Sequence, residues 1–316
     1  MSTATIPVER VRAERWRIAG RRARTFAGRY ISRSDGVVGL VILIAFGILA
    51  AFPELFVGKL ESAVTASGTR LAPPSGAHLF GSDELGRDML NLTVHGARIS
   101  MAIGLMATII TIVVGAVVGI VAGFVGGVVD TILMRISDFF LVLPTVVLAI
   151  ILAPVVLDVV GADAELFGIR ATLIVIVVVI GLTSWATTAR IIRSQVLSLK
   201  ERMFVDRARV IGAGSGHIMR RHILPNVVNL IVAQSVLTFA TAVFTETTLA
   251  FIGLGDPFAP SWGEILNSAQ SSGAPGLGAW WYIAPPATCV VLVVLAFTLV
   301  GNALDDILNP KSALRR

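Results

Sequence analysis

Six runs of apolar residues constrain this chain more than any other feature. They fall at roughly 36–56, 99–127, 133–157, 169–190, 224–252 and 282–304, and the third opens with an amphipathic stretch. Crossing the hydrocarbon core of a bilayer takes about 20 residues of helix. In lipid every backbone N–H and C=O must be satisfied within the segment, so runs of this length fold as helices. Hydrophobic residues make up 55% of the chain and charged residues only 15%, against roughly 25% charged in soluble domains. The expected fold is an all-α polytopic membrane protein with six transmembrane helices. The net charge of +6 then bears on topology and anionic lipid. It does not imply nucleic acid, because no basic surface interleaved with aromatics is present.

Lys and Arg give the orientation. One side of the predicted bundle holds Arg10, Arg12, Arg15, Arg17, Arg21, Arg22, Arg24, Arg29 and Arg33 before the first run, then Arg135. It also holds Arg190, Arg193, Lys200, Arg202, Arg207, Arg209, Arg220 and Arg221 between the fourth and fifth runs, and Lys311, Arg315 and Arg316 at the end. The other side has only Lys59, Arg70, Arg87, Arg98 and Arg170. Both termini and the segment between the fourth and fifth runs are therefore expected in the cytoplasm. Trp280, Trp281 and Tyr282 fall where the sixth run enters from outside, and Trp185 near the inner end of the fourth, as interfacial aromatics do. The basic start lacks a small-residue cleavage site, so the first span is expected to be retained. The organisation that follows is a cytoplasmic tail over 1–35, a six-span membrane bundle over 36–304 with a cytoplasmic loop at 191–223, and a tail over 305–316.

That cytoplasmic loop is the most informative stretch. Leu199 to Ile211 is rich in helix formers, Gly212 suits the left-handed conformation that ends a helix, and Ser215 can cap a second short helix. Pro225 suits the first turn of the fifth span. The small residues Ala208, Gly212, Ala213 and Gly214 leave room for close docking. The other physical reading is an amphipathic loop lying on lipid, held by its arginines.

The loop resembles the coupling loop of ABC-importer permeases, which reads E-A-A, three residues, Gly, and Ile-x-Leu-Pro further on. Asp206, Arg207 and Ala208 stand for the triplet, Gly212 for the glycine, and Ile223, Leu224 and Pro225 for the tail. Asp replaces Glu and Arg replaces the first Ala. Further segments resemble the dipeptide, oligopeptide and nickel branch of that family. They are HLFGSDELGRD from His78, with Asn91-Leu92 in place of the family's Ser-Arg after it, and DTILMRISDFFLVLP from Asp130. TETTLAFIGLG from Thr245 with Pro260-Ser261-Trp262-Gly263, and LDDILNP from Leu304, complete the set.

The resemblance implies a type I ABC importer permease fold and half of a translocation pathway for di- or oligopeptides, worked by alternating access. It implies ATPase contact through Phe204, Val205, Asp206, Arg207, Ala208, Arg209, Gly212, Ala213, Leu224 and Pro225. The implied partners are a second permease, two ATPase subunits or domains, and an extracytoplasmic solute-binding protein, in a bacterial inner membrane. ATP and Mg would sit on the ATPase partners, with no cofactor on this chain. Nickel chelates and glutathione are substrates of the same family. A secondary transporter driven by an ion gradient is the rival from another class; it calls for charges and broken spans at mid-depth. A purely structural membrane scaffold is a third reading, and it gives the loop no work.

Several residues carry smaller expectations. Glu246, near the outer end of the fifth span, is a candidate for the pathway or an outer gate together with Phe251, since an ionisable group at this depth is a functional candidate. The alternative is a structural carboxylate bonded to Thr245, Thr247 or a neighbouring helix. Asp83, Arg87, Asp88 and Trp262 are candidates for contact with the binding protein. Asp83 and Arg87 have the spacing of an ion pair on a short helix, which fits better than a metal site with His78, His95 and Glu84. Gly115, Gly119, Gly123 and Gly127 form a ridge for close helix packing, within the subunit or against a partner. Ala19, Ala23, Phe26 and Tyr30 share a stripe of the basic tail, for the inner leaflet or merely for topology. Cys289 is alone and fills space. No G-x-x-x-x-G-K-[ST] loop occurs, so ATP binding in that manner and catalysis are not expected of this chain.

Overall fold

The computed structural model describes residues 25, 27–161, 164–166 and 169–308. Ala19, Ala23 and Phe26 lie outside the described residues. Five helices are long and apolar enough to cross a membrane, or six if one bent pair counts as a span.

Helix α1 (Ser34–Ala51) leads into the short α2 (Pro53–Val57), and α3 (Met89–Val125) returns. The second span therefore begins ten residues before its apolar run. Asp88 explains why: its carboxylate accepts the N–H groups of Leu90 at 2.7 Å and Asn91 at 3.4 Å and so caps the helix. Gly126 and Gly127, both at positive φ, make the inner turn. The third span is α4 (Gly127–Val142) and α5 (Thr145–Val160), bent by 94°. The straight span expected from the apolar run fails at Leu143, which precedes Pro144 and is extended at φ −85°, ψ 129°.

A two-residue antiparallel ladder, β1 (Glu165–Leu166) with β2 (Ile169–Arg170), opens the way to α6 (Ala171–Lys200). This helix runs well past the apolar stretch. Trp185 therefore lies mid-helix, buried, with its ring 5.5 Å from that of Phe140. Next come α7 (Met203–Val210) and α8 (Ser215–Ile218). Gly214 holds the cap position of α8 and Ser215 makes no cap bond, contrary to the expectation for Ser215.

A wide turn, Met219–Ile223, joins α8 to α9 (Leu224–Leu249) without a break, so Ser215–Leu254 forms one continuous rod of 40 residues. Pro225 sits inside this rod. The wide turn absorbs its missing N–H, and Asn226 Nδ2 donates to the His222 carbonyl at 2.6 Å. At the outer end a second wide turn, Ala250–Leu254, breaks at Gly253 (φ 90°, ψ 14°). Asn267 Nδ2 donates to the Phe251 carbonyl beside that break at 2.7 Å. The outer loop holds α10 (Trp262–Ser271), and α11 (Trp280–Leu308) closes the bundle. Arg33 pairs with Asp306 at 2.7 Å, so the start of α1 and the end of α11 share one face. Tyr30 is buried and donates to the Gly36 carbonyl at 2.9 Å.

The glycine ridge packs α3 on α6 within the subunit. A Cβ on Gly119 would lie 2.5 Å from the Ala189 carbonyl oxygen, and one on Gly115 2.7 Å from Thr188 Cβ. Gly123 meets Val196 in the same way, whereas Gly127 meets nothing within 4 Å. Small residues let the backbones approach where lipid supplies no hydrophobic drive.

Candidate functional site: the inner docking face and the outer cap

On the inner face α7 stands on one apolar cluster. Val205 and Ala208 are buried with Phe124 of α3, Ile192 and Val196 of α6, and Ile218, Ile223 and Val227 of the rod. The opposite side of α7 is open. Asp206 and Arg207 are exposed there beside three apolar side chains, Met203, Val210 (89% exposed) and Ile211 (85% exposed). Together with Asp206 and Arg207 they line one open, largely apolar patch.

Gly212 ends α7 at φ +88°, in the left-handed region. Its N–H donates to the Arg209 carbonyl at 2.9 Å, and the N–H of Ala213 to the Ala208 carbonyl at 3.0 Å. These two bonds are the Schellman closure of a helix. Arg209 reaches Asp206 at 3.4 Å and lies over the Phe124 ring at 5.8 Å. The Phe204 ring centroid is 6.2 Å from that of His222. Leu224 and Pro225 are exposed at the foot of α9. The structure thus brings eight of the ten loop residues named from sequence onto α7 and its closing turn, while Leu224 and Pro225 lie apart at the start of α9. Sequence reasoning missed Met203, Val210 and Ile211; their seven- and eight-residue spacing on a helix opposite Val205 and Ala208 was the available signal.

The outer cap is knit from the residues that resemble the family's HLFGSDELGRD segment. The Asp83 carboxylate accepts the N–H groups of Leu85 and Arg87 at 2.8 Å each and Arg87 Nε at 2.6 Å. The ion pair is as expected, but it sits on a turn and not on a helix. His78 Nδ1 lies 3.2 Å from Asp88, and Tyr282 donates its hydroxyl to Glu84. Asn91 Nδ2 clamps the carbonyls of Val57 and Lys59 at 2.9 Å each. Trp262 is fully buried, with Nε1 donating to the Thr93 carbonyl at 2.9 Å. Asp83, Asp88 and Trp262 thus commit their side chains inside the subunit. Of the four residues expected to touch the binding protein, these three are engaged in holding the subunit's own loops together.

Behind these loops lies a group of carboxylates. Glu246 is 1% exposed, and the hydroxyls of Ser261, Ser100 and Thr247 surround its carboxyl, the last at 3.4 Å. The Thr245 hydroxyl turns instead to the Thr241 carbonyl, at 2.8 Å. One oxygen of Glu246 and one of Asp256 are buried without a partner among the described residues. Glu264 of α10 is pushed up to about 7, mainly by burial and then by the charges of Asp256 and Glu246. Phe251 is half-exposed at the kinked end of the rod. Asp256 and Glu264 were not singled out from sequence; in a Gly- and Pro-rich loop nothing announced their burial.

The description "Binding-protein-dependent transport system inner membrane component" matches residues 115–313. The dipeptide transport system permease protein DppC of Bacillus subtilis is 37% identical over 285 residues, covering 89% of this chain and 82% of that one. The oligopeptide transport system permease protein OppC of the same organism is 35% identical over 286 residues, 90% and 88% of the two chains. A putative peptide permease protein of Brucella ovis is 35% identical over 291 residues, 91% of each. With the match extending across the kinked third span, the α7–turn–α8 segment and the closing helix, this chain belongs to the family of binding-protein-dependent transport system inner membrane components.

Proposed function

We propose that this chain is the permease subunit of an ATP-driven importer of di- or oligopeptides. It forms half of the path and couples to separate ATPase subunits through α7. The observation that carries the reading is the α7 face itself. Exposed aliphatics flank Asp206 and Arg207 on a helix whose other side is locked into the inner core. The peptide substrate is supported by the names of the relatives.

In this reading the loop and both termini are cytoplasmic, and ATP closes the ATPase pair. The closure pushes α7, which is packed on α3, α6 and the rod, so these helices move together. The cavity between this subunit and a second permease then switches from inward- to outward-facing. The binding protein releases its solute at the outer cap, and Glu246 with Phe251 forms the gate there. Hydrolysis on the partners resets the cycle, and this chain performs no catalysis.

The test is reconstitution in proteoliposomes with the second permease, the ATPase subunits and the binding protein. Peptide uptake should require ATP and the binding protein and persist when ionophores collapse ion gradients. Uptake that needs a gradient and ignores ATP would favour the secondary transporter.

A further inference from the structure

The bend after α4 opens a groove of about 360 Å³ against α6 and α9. Among the residues that line it are Thr183 and Thr187 of α6, and Gln234, Thr238, Thr241 and Thr245 of α9. The last four are spaced by four, three and four residues, which puts them on one stripe of the helix. The stripe is about 16 Å long at 1.5 Å per residue. No charged side chain lines the groove.

Polar side chains within spans avoid lipid and face either a packed interior or a water-filled space. Thr187 and Thr241 are exposed and Gln234 is half-buried, with Thr183, Thr238 and Thr245 buried beside them. Among the described residues the side chains of Thr187, Gln234 and Thr238 have no hydrogen-bond partner. Thr183, Thr241 and Thr245 donate to carbonyls of their own helices, those of Val179, Thr238 and Thr241, each at 2.8 Å. Their oxygens retain lone pairs as acceptors, while Gln234 offers both donors and an acceptor. A helix interface of the kind α3 makes with α6 is built instead from glycines in direct contact. A concave wall that leaves Thr187, Gln234 and Thr238 unpartnered suits a transient polar ligand better.

We infer, resting on the permease reading above, that these six side chains form this subunit's wall of the solute path and recognise the peptide main chain. An extended chain rises about 3.3 Å per residue, so the stripe matches roughly five residues. Its hydroxyls and amide exchange hydrogen bonds with peptide N–H and C=O groups. Because the wall has no fixed charge, acidic, basic and neutral peptide side chains pass at similar rates.

The test places a charge at the middle of the stripe. In the reconstituted complex with its binding protein, Thr241→Asp should slow acidic peptides relative to basic ones by about tenfold. Thr241→Lys should do the reverse, as unit charges about 12 Å apart at an effective dielectric of about 20 require. Both ratios are read against the wild-type complex with the same binding protein. Unchanged ratios in both variants would overturn the proposal. Should either charged variant fail to assemble, Thr187→Cys and Thr241→Cys supply the reading. A small charged thiol reagent should modify both in the resting complex and more slowly after vanadate trapping. No modification in any state would mean that a partner helix covers the groove, which also overturns the proposal. A wild-type complex that moves no peptide would refute the permease reading instead, and the thiol labelling would still decide whether the groove is a wetted wall.

Discussion

Arg170 and Asp256 meet at 3.3 Å across 86 positions of sequence. The pair ties the start of α6 to the outer loop after α9, and Arg170 also lies 4.3 Å from the centre of the Phe258 ring. It offsets one negative charge in a group of three carboxylates, Glu246, Asp256 and Glu264. Burial of Glu264 beside the other two is what lifts it to about 7.

A pH dependence follows for the outer cap. A carboxyl whose folded value is raised binds its proton more tightly when folded than when unfolded. Its contribution is complete below the ordinary Glu value of 4.5 and is lost as pH rises through about 7. Glu264→Gln should remove that loss. The thermal midpoint of the variant relative to wild type should rise between pH 5 and pH 8 in detergent. A constant difference across that range would refute the placement of Glu264.

Glu246→Ala should destabilise the subunit by about 1–3 kcal/mol, since three buried hydroxyls lose their common partner. Glu246→Gln should retain most of the stability, because the amide still offers an acceptor. Under the gate reading, the Gln variant assembles normally and takes up substrate more slowly. Wild-type uptake in that variant would retire the gate.

Gly212→Val should leave the subunit in the membrane and release the ATPase. No atom lies within 4 Å of a Cβ built at Gly212, so the defect comes from the backbone and not from a clash. Holding a non-glycine residue in the left-handed region costs roughly 1–2 kcal/mol. A β-branched side chain therefore unwinds the closure that sets the angle of α7. Gly212→Asn, which tolerates this conformation, should retain attachment. Co-purification of the ATPase subunits separates the two variants, and full attachment of the Val variant would refute a coupling role for the loop.

Gly119→Val should lower the amount of folded subunit, because the ridge contact leaves no room beside the Ala189 carbonyl. The cost of such overpacking is about 1–3 kcal/mol. Gly47→Ala, on α1 with nothing within 4 Å of the new Cβ, should be silent. Thermal unfolding of the purified subunit compares them, and equal midpoints would refute the α3–α6 contact.

Exposed cysteines report the sidedness. Ser75→Cys and Ser271→Cys should react with impermeant reagents from outside intact cells, and Ser215→Cys should not; all three positions are exposed. Outside labelling of Ser215→Cys would invert the orientation.

The spans were legible because apolar runs report membrane thickness directly. Gly212 was legible because one backbone conformation suits glycine so well. Hydropathy says nothing of bends, so the break at Leu143–Pro144 was hidden inside a single apolar run. It also says nothing of where a polar helix end stops, so α3 and α6 outran their apolar cores at Met89 and Lys200. The burial of Trp262 and Asp83 was invisible for a different reason. Trp262's partner Thr93 lies 169 positions away and is set by tertiary approach, while the spacing of Asp83 and Arg87 announced their pair but not its burial.

The stretch from Ser215 to Leu254, continuous up to the kink at Gly253, carries a mechanical consequence. At 1.5 Å per residue its 40 residues span about 60 Å. One end lies beside the α7 docking face, and the other carries the kink at Gly253. A stiff beam of that length, tilted by about 5°, sweeps its far end through about 5 Å, roughly one helical turn. Under the coupling reading, a small tilt imposed beside α7 would reach Phe251 and Glu246 through one piece of polypeptide, with no relay of side chains between.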